Sequence, residues 1–464
     1  MGTRRSHQAT GGGLVVGRLA LVALVAAACA GSADDAAPAP EAAGSRTAQR
    51  GTGGVNDPAA GSRPYVVLVS FDGFPPDYLD RYPTPAFDRL AGAGAQAALI
   101  PVFPSLTFPA HYSIATGLYP EHHGIVANRF YDPERDAEFD YRDRDTVQDG
   151  SWWGGEPIWV TAENQGLVAA AVFFPGTEAA IGGVRPTEWR PYDGRAPNRN
   201  RVRSVLDWLA RPPETRPHLT TLYFSLVDSA RHRLGPAAAE MADSVQRADA
   251  LLGELLDGID ALPHGDRVAV IVVSDHGMAA VEPERRQSLP PAAAGDGIRA
   301  VPAGPAVSLH VADRARRGPI RDAINESVRY ARAYLREEMP DHLHARASRR
   351  LGDVVVVPEV GVMVDVRGIE GVAERLQRVA DYPAGMHGWD PRAPEMHGIL
   401  LAAGPGIARG ARLPAVESVH VYPLIAHLLK LRQPDFLDGR LDAVEALLAP
   451  AATPGNAPPA PARP

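Results

Sequence analysis

Cysteine is almost absent: the 464 residues hold one, Cys29, so no intramolecular disulfide can form and stability in an oxidising compartment has to come from packing. A net positive charge is missing too. The formal charge is −8 at pH 7, which argues against general nucleic-acid binding, because neutralising a phosphate backbone takes a basic surface. Beyond the first 30 residues no run is long and apolar enough to cross a bilayer, and no internal repeat is visible. What remains is an ordinary globular composition, 45% hydrophobic and 22% charged, in a chain long enough to bury one large core.

The ends read differently from the middle. Residues 1–28 carry Arg4, Arg5 and Arg18, no acid, and an apolar stretch from Leu19 to Ala28, the pattern of an export signal peptide. Cys29 follows Ala26, Ala27 and Ala28 in the position of a bacterial lipoprotein processing site; an ordinary signal peptide cut nearby is the other reading. Either way the expectation is an exported protein, periplasmic or held at the cell envelope, meeting a membrane only through a lipid on Cys29. Loss of 1–28, with its three arginines, takes the formal charge from −8 to −11. Residues 29–63, rich in Ala, Gly, Pro and Ser, read as a flexible linker and 450–464 as a disordered tail, which leaves 64–449 as the folded domain.

Within that domain a continuous apolar run, YVVLVSFDG from Tyr65, ends in Asp72. The same grammar recurs in TTLYFSLVDSARH (220–232), VAVIVVSDHG (268–277) and GILLAAGPG (398–406). Such runs read as buried strands, and the helical periodicity between them, as in ALLGELLDGIDAL (250–262), gives a mostly parallel α/β sheet with helices on both faces. Residues 283–361 break the alternation and read as an inserted subdomain, with a Pro/Ala/Gly-rich loop and a polar helix over about 320–338. The last ordered helix is expected near 422–431.

Ligands gather at the carboxyl ends of strands in open α/β sheets, and the chemistry-bearing residues stand there. Asp72, Asp228, Asp275 and His276 follow apolar runs; His232 lies four residues after Asp228, so one helical turn aims both the same way; His387 sits between glycines in GMHGWD. Mixed oxygen and imidazole donors suit zinc, with iron or manganese allowed by ligand type. A single DxxxH is ordinarily a solvated helix face, and a lone Asp-His pair a surface turn. Their recurrence around one proline-framed threonine, Thr107, points instead to a two-metal hydrolase with a threonine nucleophile. His111, His122 and His123 read as packing residues, His397 as a weaker rival to His387, and His420 as surface.

These motifs resemble the ectonucleotide pyrophosphatase/phosphodiesterases of the alkaline phosphatase superfamily, in particular their bacterial members. The resemblance runs through SFDGF (70–74), FPSLTFPAHYSIATGLYPEHHGI (103–125), VDSARHRLGP (227–236), SDHGM (274–278) and GMHGWDPRAPEMHGILLAAGPG (385–406). It implies an alkaline-phosphatase-like core and two Zn2+ ions, one among Asp72, Thr107, Asp275 and His276, the other among Asp228, His232 and His387. It also implies that Asn128 contacts a phosphate oxygen and that Phe108 and Tyr192 sandwich a nucleobase. Two positions depart from the family pattern: Ala110 replaces an asparagine, and Asp228 and His232 stand in VDSARH, where a proline before the aspartate and a glycine before the histidine are usual.

The expected activity is a phosphodiesterase or nucleotide pyrophosphatase acting on nucleotides or related small diesters through a phosphothreonine, with no nucleic-acid polymer as partner. A neutral Asn128, where a monoester needs an arginine, favours the diester. The alternatives are a phosphomonoesterase, sulfatase-like or phospholipid-headgroup hydrolase on the same scaffold, and an inactive surface binding protein.

Overall fold

A computed structural model describes residues 54–366 and 383–450, so the signal peptide, Cys29, residues 29–53 of the linker and 451–464 of the tail lie outside the described residues. The main sheet contains β1 (Tyr65–Phe71), β2 (Ala95–Ile100), β3 (Ala169–Val172), β4 (Leu219–Phe224), β5 (Val268–Val273) and β6 (Gly398–Ala403). In space they run β2-β6-β5-β1-β4-β3, with the short pairs Ala411–Arg412 and Val416–Glu417 added along β2. β1 pairs parallel with both β4 and β5, and β3 parallel with β4, whereas β6 is antiparallel to β2 and β5. The sheet is therefore mostly parallel, with one strand reversed. Every residue of β1, β4, β5 and β6 is buried, as expected for strands covered on both faces.

One core lies on each face. On one side Trp159, Phe174, Tyr112 and the helix Val421–Leu428 pack together; on the other Phe71, Phe87, Val205 and Leu252 do, the last from the long helix Met241–Asp260. Strands β2 and β3 escape a propensity reading because they are alanine-rich, AQAALI and AAAV, and are strands only by virtue of their partners.

The insertion is more ordered than its composition suggests. Ile298–Ala303 and Ala306–Val311 form a hairpin that continues through Val354–Pro358 to Ala331–Leu335, a four-stranded antiparallel sheet with its own core around Val307, Leu309, Ile324 and Val356. The helix runs over Arg317–Ser327 and stops there, not near 338, because Val328 leaves helical geometry and the chain re-enters the sheet at Ala331. Arg350 bolts the insertion to the main domain: its guanidinium donates to Asp132 (2.9 Å), to the Gly124 carbonyl (2.9 Å) and to the Trp152 carbonyl (2.9 Å).

Residues 54–63 are also docked and not a free spacer. Asn56 is buried, donating to the carbonyls of Pro213 and Arg216 at 2.8 Å each and accepting from the Val168 N–H at 2.7 Å. His420, read as surface, is buried with 8% exposure, and its Nδ1 accepts from the Arg440 N–H.

Candidate active site

The carboxyl ends of β1, β4 and β5 converge on one edge, and each delivers its acid there. Asp72 follows β1, and its carbonyl accepts from the Asp228 N–H at 3.0 Å, which ties the β1 exit to the helix Leu226–Leu234. Gly73 makes that approach possible: it has φ +68°, and a Cβ there would lie 2.9 Å from Asp228 Cβ. The helical turn expected between Asp228 and His232 is present, and His232 Nε2 lies 3.4 Å from Asp228 Oδ1. Asp275 and His276 follow β5 and are fully buried. His387 reaches the same edge by a different route. It follows the two-residue strand Gly385–Met386, which pairs with Ala279–Ala280 outside the main sheet, and precedes the antiparallel β6, whose amino end shares an edge with the carboxyl ends of its neighbours.

Thr107 is the first residue of the helix Thr107–Thr116, with its hydroxyl 3.4 Å from His276 Nε2. Asn128 Oδ1 accepts from the Phe108 N–H at 2.9 Å, which orients the amide and turns its NH2 group away from the helix to donate elsewhere. The expected donors gather in one cluster beside this hydroxyl, and the groups close enough to share an ion are Asp228, His276 and His387, and Asp72 and Asp275 with His111. His276 Nε2 is 3.4 Å from Asp72 Oδ1 and 3.0 Å from Asp275 Oδ2; Asp228 Oδ1 is 3.6 Å from His387 Nε2, which is 3.2 Å from His232 Nε2.

Hydrogen bonding fixes the tautomers. His232, His276 and His387 each donate from Nδ1 to a carbonyl, of Gly385 (2.8 Å), Gly277 (2.9 Å) and Ser105 (2.8 Å), so every Nε2 presents a bare lone pair to the cluster. Oδ1 of Asp72, Oδ1 of Asp228 and Oδ2 of Asp275 are buried without a hydrogen bond. Lone pairs and anionic oxygens this close repel one another unless cations lie among them. The residues present therefore fit divalent metal ions, and mixed carboxylate and imidazole donors are those of zinc and its neighbours.

Electrostatics agrees. Burial, followed by the charges of Asp275 and Asp228, pushes the Asp72 carboxyl well above the usual carboxylate range, and burial pushes Asp228 up as well. Burial acts on Asp275 in the same direction, but His276 and His111 outweigh it and hold that carboxyl well below its usual value. His387 is kept neutral by burial, reinforced by His276 and His232.

Two residues that sequence reasoning passed over support this centre. His111, one turn after Thr107, lies 3.1 Å from Asp275 Oδ2, close enough to be mistaken for a ligand. Its Nδ1 donates to the Thr107 carbonyl at 2.8 Å and its Nε2 pairs with the Ser70 hydroxyl at 2.7 Å, so neither nitrogen has a lone pair to offer a metal. The four-residue spacing from Thr107 was the available signal. Tyr223, on β4 in register with Ser70, donates its hydroxyl to Asp72 Oδ2 at 2.6 Å; a strand tyrosine carries no such signal in the sequence. His397 stands apart from the cluster, with a buried Nε2 that has no partner.

Beside the centre opens a cleft of about 290 Å³. Phe108 and Tyr192 both line it, Phe108 backed by Phe139, Tyr141 and Trp153, and Tyr192, 42% exposed, by Phe173 and Tyr223. Arg144 also lines the cleft and is paired with Glu178, whose other oxygen accepts from the Tyr192 N–H at 3.0 Å.

A mostly parallel α/β sheet carrying a hydroxyl and a cluster of acids and imidazoles along one edge has the alkaline-phosphatase-like architecture. Comparison with known proteins narrows this. The family model described as type I phosphodiesterase / nucleotide pyrophosphatase matches residues 66–390, and the chain belongs to that family, the ectonucleotide pyrophosphatase/phosphodiesterases. A venom phosphodiesterase of Crotalus durissus collilineatus is 33% identical over 393 residues, covering 82% of this chain and 46% of the relative. Human ectonucleotide pyrophosphatase/phosphodiesterase family member 1 is 33% identical over 385 residues, covering 81% and 41%. The chain thus spans less than half the length of these two relatives. Murine family member 5, solved as an inactive threonine-to-alanine variant in complex with AMP, superposes with a TM-score of 0.76 at 29% identity, covering 83% of this chain and all of that one.

Proposed function

We propose that this protein is a metal-dependent phosphodiesterase that hydrolyses phosphodiester or pyrophosphate bonds of nucleotides or related small diesters, with Thr107 as nucleophile and two zinc ions as cofactors. The observation that carries this reading is the Thr107 hydroxyl, 3.4 Å from His276 Nε2, beside a cluster of unpartnered carboxylate oxygens and inward-facing imidazole nitrogens. When bound, the cations lower the pKa of a coordinated hydroxyl and take up charge on the phosphoryl oxygens.

The chain's own residues do the rest. The helix start at Thr107 places the positive end of the helix dipole beside the developing alkoxide, and His111 holds the Thr107 carbonyl so that the side chain keeps its direction. The Asn128 amide donates to a non-bridging oxygen of the phosphate. Thr107 Oγ1 forms a bond to phosphorus as the bond to the leaving alcohol or phosphate breaks; water then displaces phosphorus from Thr107 and restores the hydroxyl. Phe108 and Tyr192 hold the base, one wall of the cleft each supplying a ring.

Among the alternatives, a phosphomonoesterase is disfavoured because, among the described residues, no free arginine lines the cleft to meet the extra charge: Arg144 is paired with Glu178, and Arg129, next to Asn128, is paired with Glu138 and does not line the cleft. Export, by way of residues 1–28 and with or without a lipid on Cys29, completes the proposal. Metal analysis with rates on a nitrophenyl nucleotide diester, nitrophenyl phosphate and nitrophenyl sulfate tests it. The diester is expected to lead, and Thr107→Ala to abolish its turnover while keeping the metal; unchanged turnover in that variant overturns the mechanism.

A further inference from the structure

The cleft used for chemistry is not the largest one. A second opening of about 450 Å³ lies between the insertion and the hairpin formed by Arg129–Asp132 and Ala137–Asp140. Nothing in the proposed reaction uses it. Its lining carries four arginines, Arg299, Arg314, Arg317 and Arg349, against one carboxylate, Asp353. This concentration of positive charge stands out on a chain whose formal charge is −8.

The one acid is spent. Asp353 Oδ1 is bound by Arg317 and its Oδ2 accepts from the Val311 N–H at 2.8 Å. The three arginines at the rim are held loosely or not at all: Arg299 reaches Glu138 at 3.4 Å, Arg349 reaches Glu134 at 3.9 Å, and Arg314, exposed, has no ion-pair partner among the described residues. Exposed pairs of this kind contribute little, so a multivalent anion can displace them. The aromatic surface is already taken. The Arg299 guanidinium covers the Tyr131 ring at 4.0 Å and the His310 ring stands perpendicular to it at 5.0 Å, so this ring is already engaged. Several guanidinium groups lining one cleft, with the His310 Nε2 there unpartnered, select charge and oxygen geometry, as in phosphate recognition.

We propose that this arginine cleft binds a compact polyanion carrying two or more phosphate groups and no stacked base, at a site separate from the one around Thr107. It is independent of the activity argued above. The test is calorimetric titration of the metal-replete protein with fructose 1,6-bisphosphate and, in parallel, inorganic phosphate and sulfate at matched ionic strength. Arg314→Glu/Arg349→Glu is the variant, since both side chains are exposed and their reversal leaves the cores intact; each single reversal backs it up. The bisphosphate is expected to bind tighter than either small anion, to lose tenfold or more in affinity in the double variant, and to weaken with added salt. Superimposable titrations of wild type and variant, which would place the binding elsewhere, overturn the proposal. So does a bisphosphate that binds no better than sulfate.

Discussion

Tyr223→Phe isolates the contribution of a hydrogen bond to the proposed metal centre. The Tyr223 hydroxyl donates to Asp72 Oδ2 at 2.6 Å in a fully buried setting, which anchors one carboxylate oxygen and leaves Oδ1 facing the cluster. Deleting the hydroxyl keeps the ring and its packing against His111 and Tyr192 but leaves Oδ2 bare. A hydrogen bond to a charged group is worth about 1.5–3 kcal/mol, which corresponds to roughly 10- to 150-fold in an equilibrium constant. Loss of outer partners of metal ligands costs about 10- to 100-fold in metal affinity, the same range by another route. Asp72 is already pushed up by burial and by its neighbouring carboxylates, so without Tyr223 a proton competes still better with the cation. The assay is zinc transfer to a colorimetric chelator, which involves no substrate and so separates this effect from the position of Tyr223 on the cleft wall. A variant that holds zinc as tightly as wild type would refute the reasoning.

Gly73→Ala forces a Cβ to within 2.9 Å of Asp228 Cβ at φ +68°, so diester turnover should fall tenfold or more while the fold survives, as rates and circular dichroism would show. Arg350→Ala takes from Asp132 its shorter ion-pair partner, leaving Arg135 at 3.5 Å, and bares two carbonyls; a loss of about 1–3 kcal/mol is expected from denaturant unfolding. His123 is fully buried and burial lowers its pKa to about 3, against an ordinary 6.5 when unfolded. The unfolded chain therefore takes up the proton first, and stability is lost as pH falls below 6.5, by about 1.4 kcal/mol per pH unit from this group. Melting temperatures from pH 7 to 5 should show a shallower decline in His123→Gln. Chelation should abolish diester turnover, and zinc should restore it.

Much of the site was legible because its chemistry is written in short strings beside apolar runs. SFDG and SDHG place an acid just past a buried strand and VDSARH one in the first turn of the helix that follows β4, and parallel pairing of β1, β4 and β5 carries all three to one edge. The mostly parallel sheet followed from the same runs. Alanine-rich β2 and β3 and the insertion's hairpin did not, since their residues have weak intrinsic preference and become strands through the neighbours that pair with them. His420 likewise looks like a surface histidine in one dimension and is buried in three.

The amino-acid order alone named the residue types able to hold cations and the hydroxyl expected among them, because donor chemistry belongs to a side chain wherever it is placed. Only tertiary structure decided that His111 is a positioning residue and no ligand, since that depends on the Thr107 carbonyl and the Ser70 hydroxyl occupying its two nitrogens. Reversal of β6, the anchoring of Asp72 by Tyr223 and the gathering of four arginines in the second cleft have the same origin. Each is a contact between residues far apart in the chain, set by how elements pair and pack.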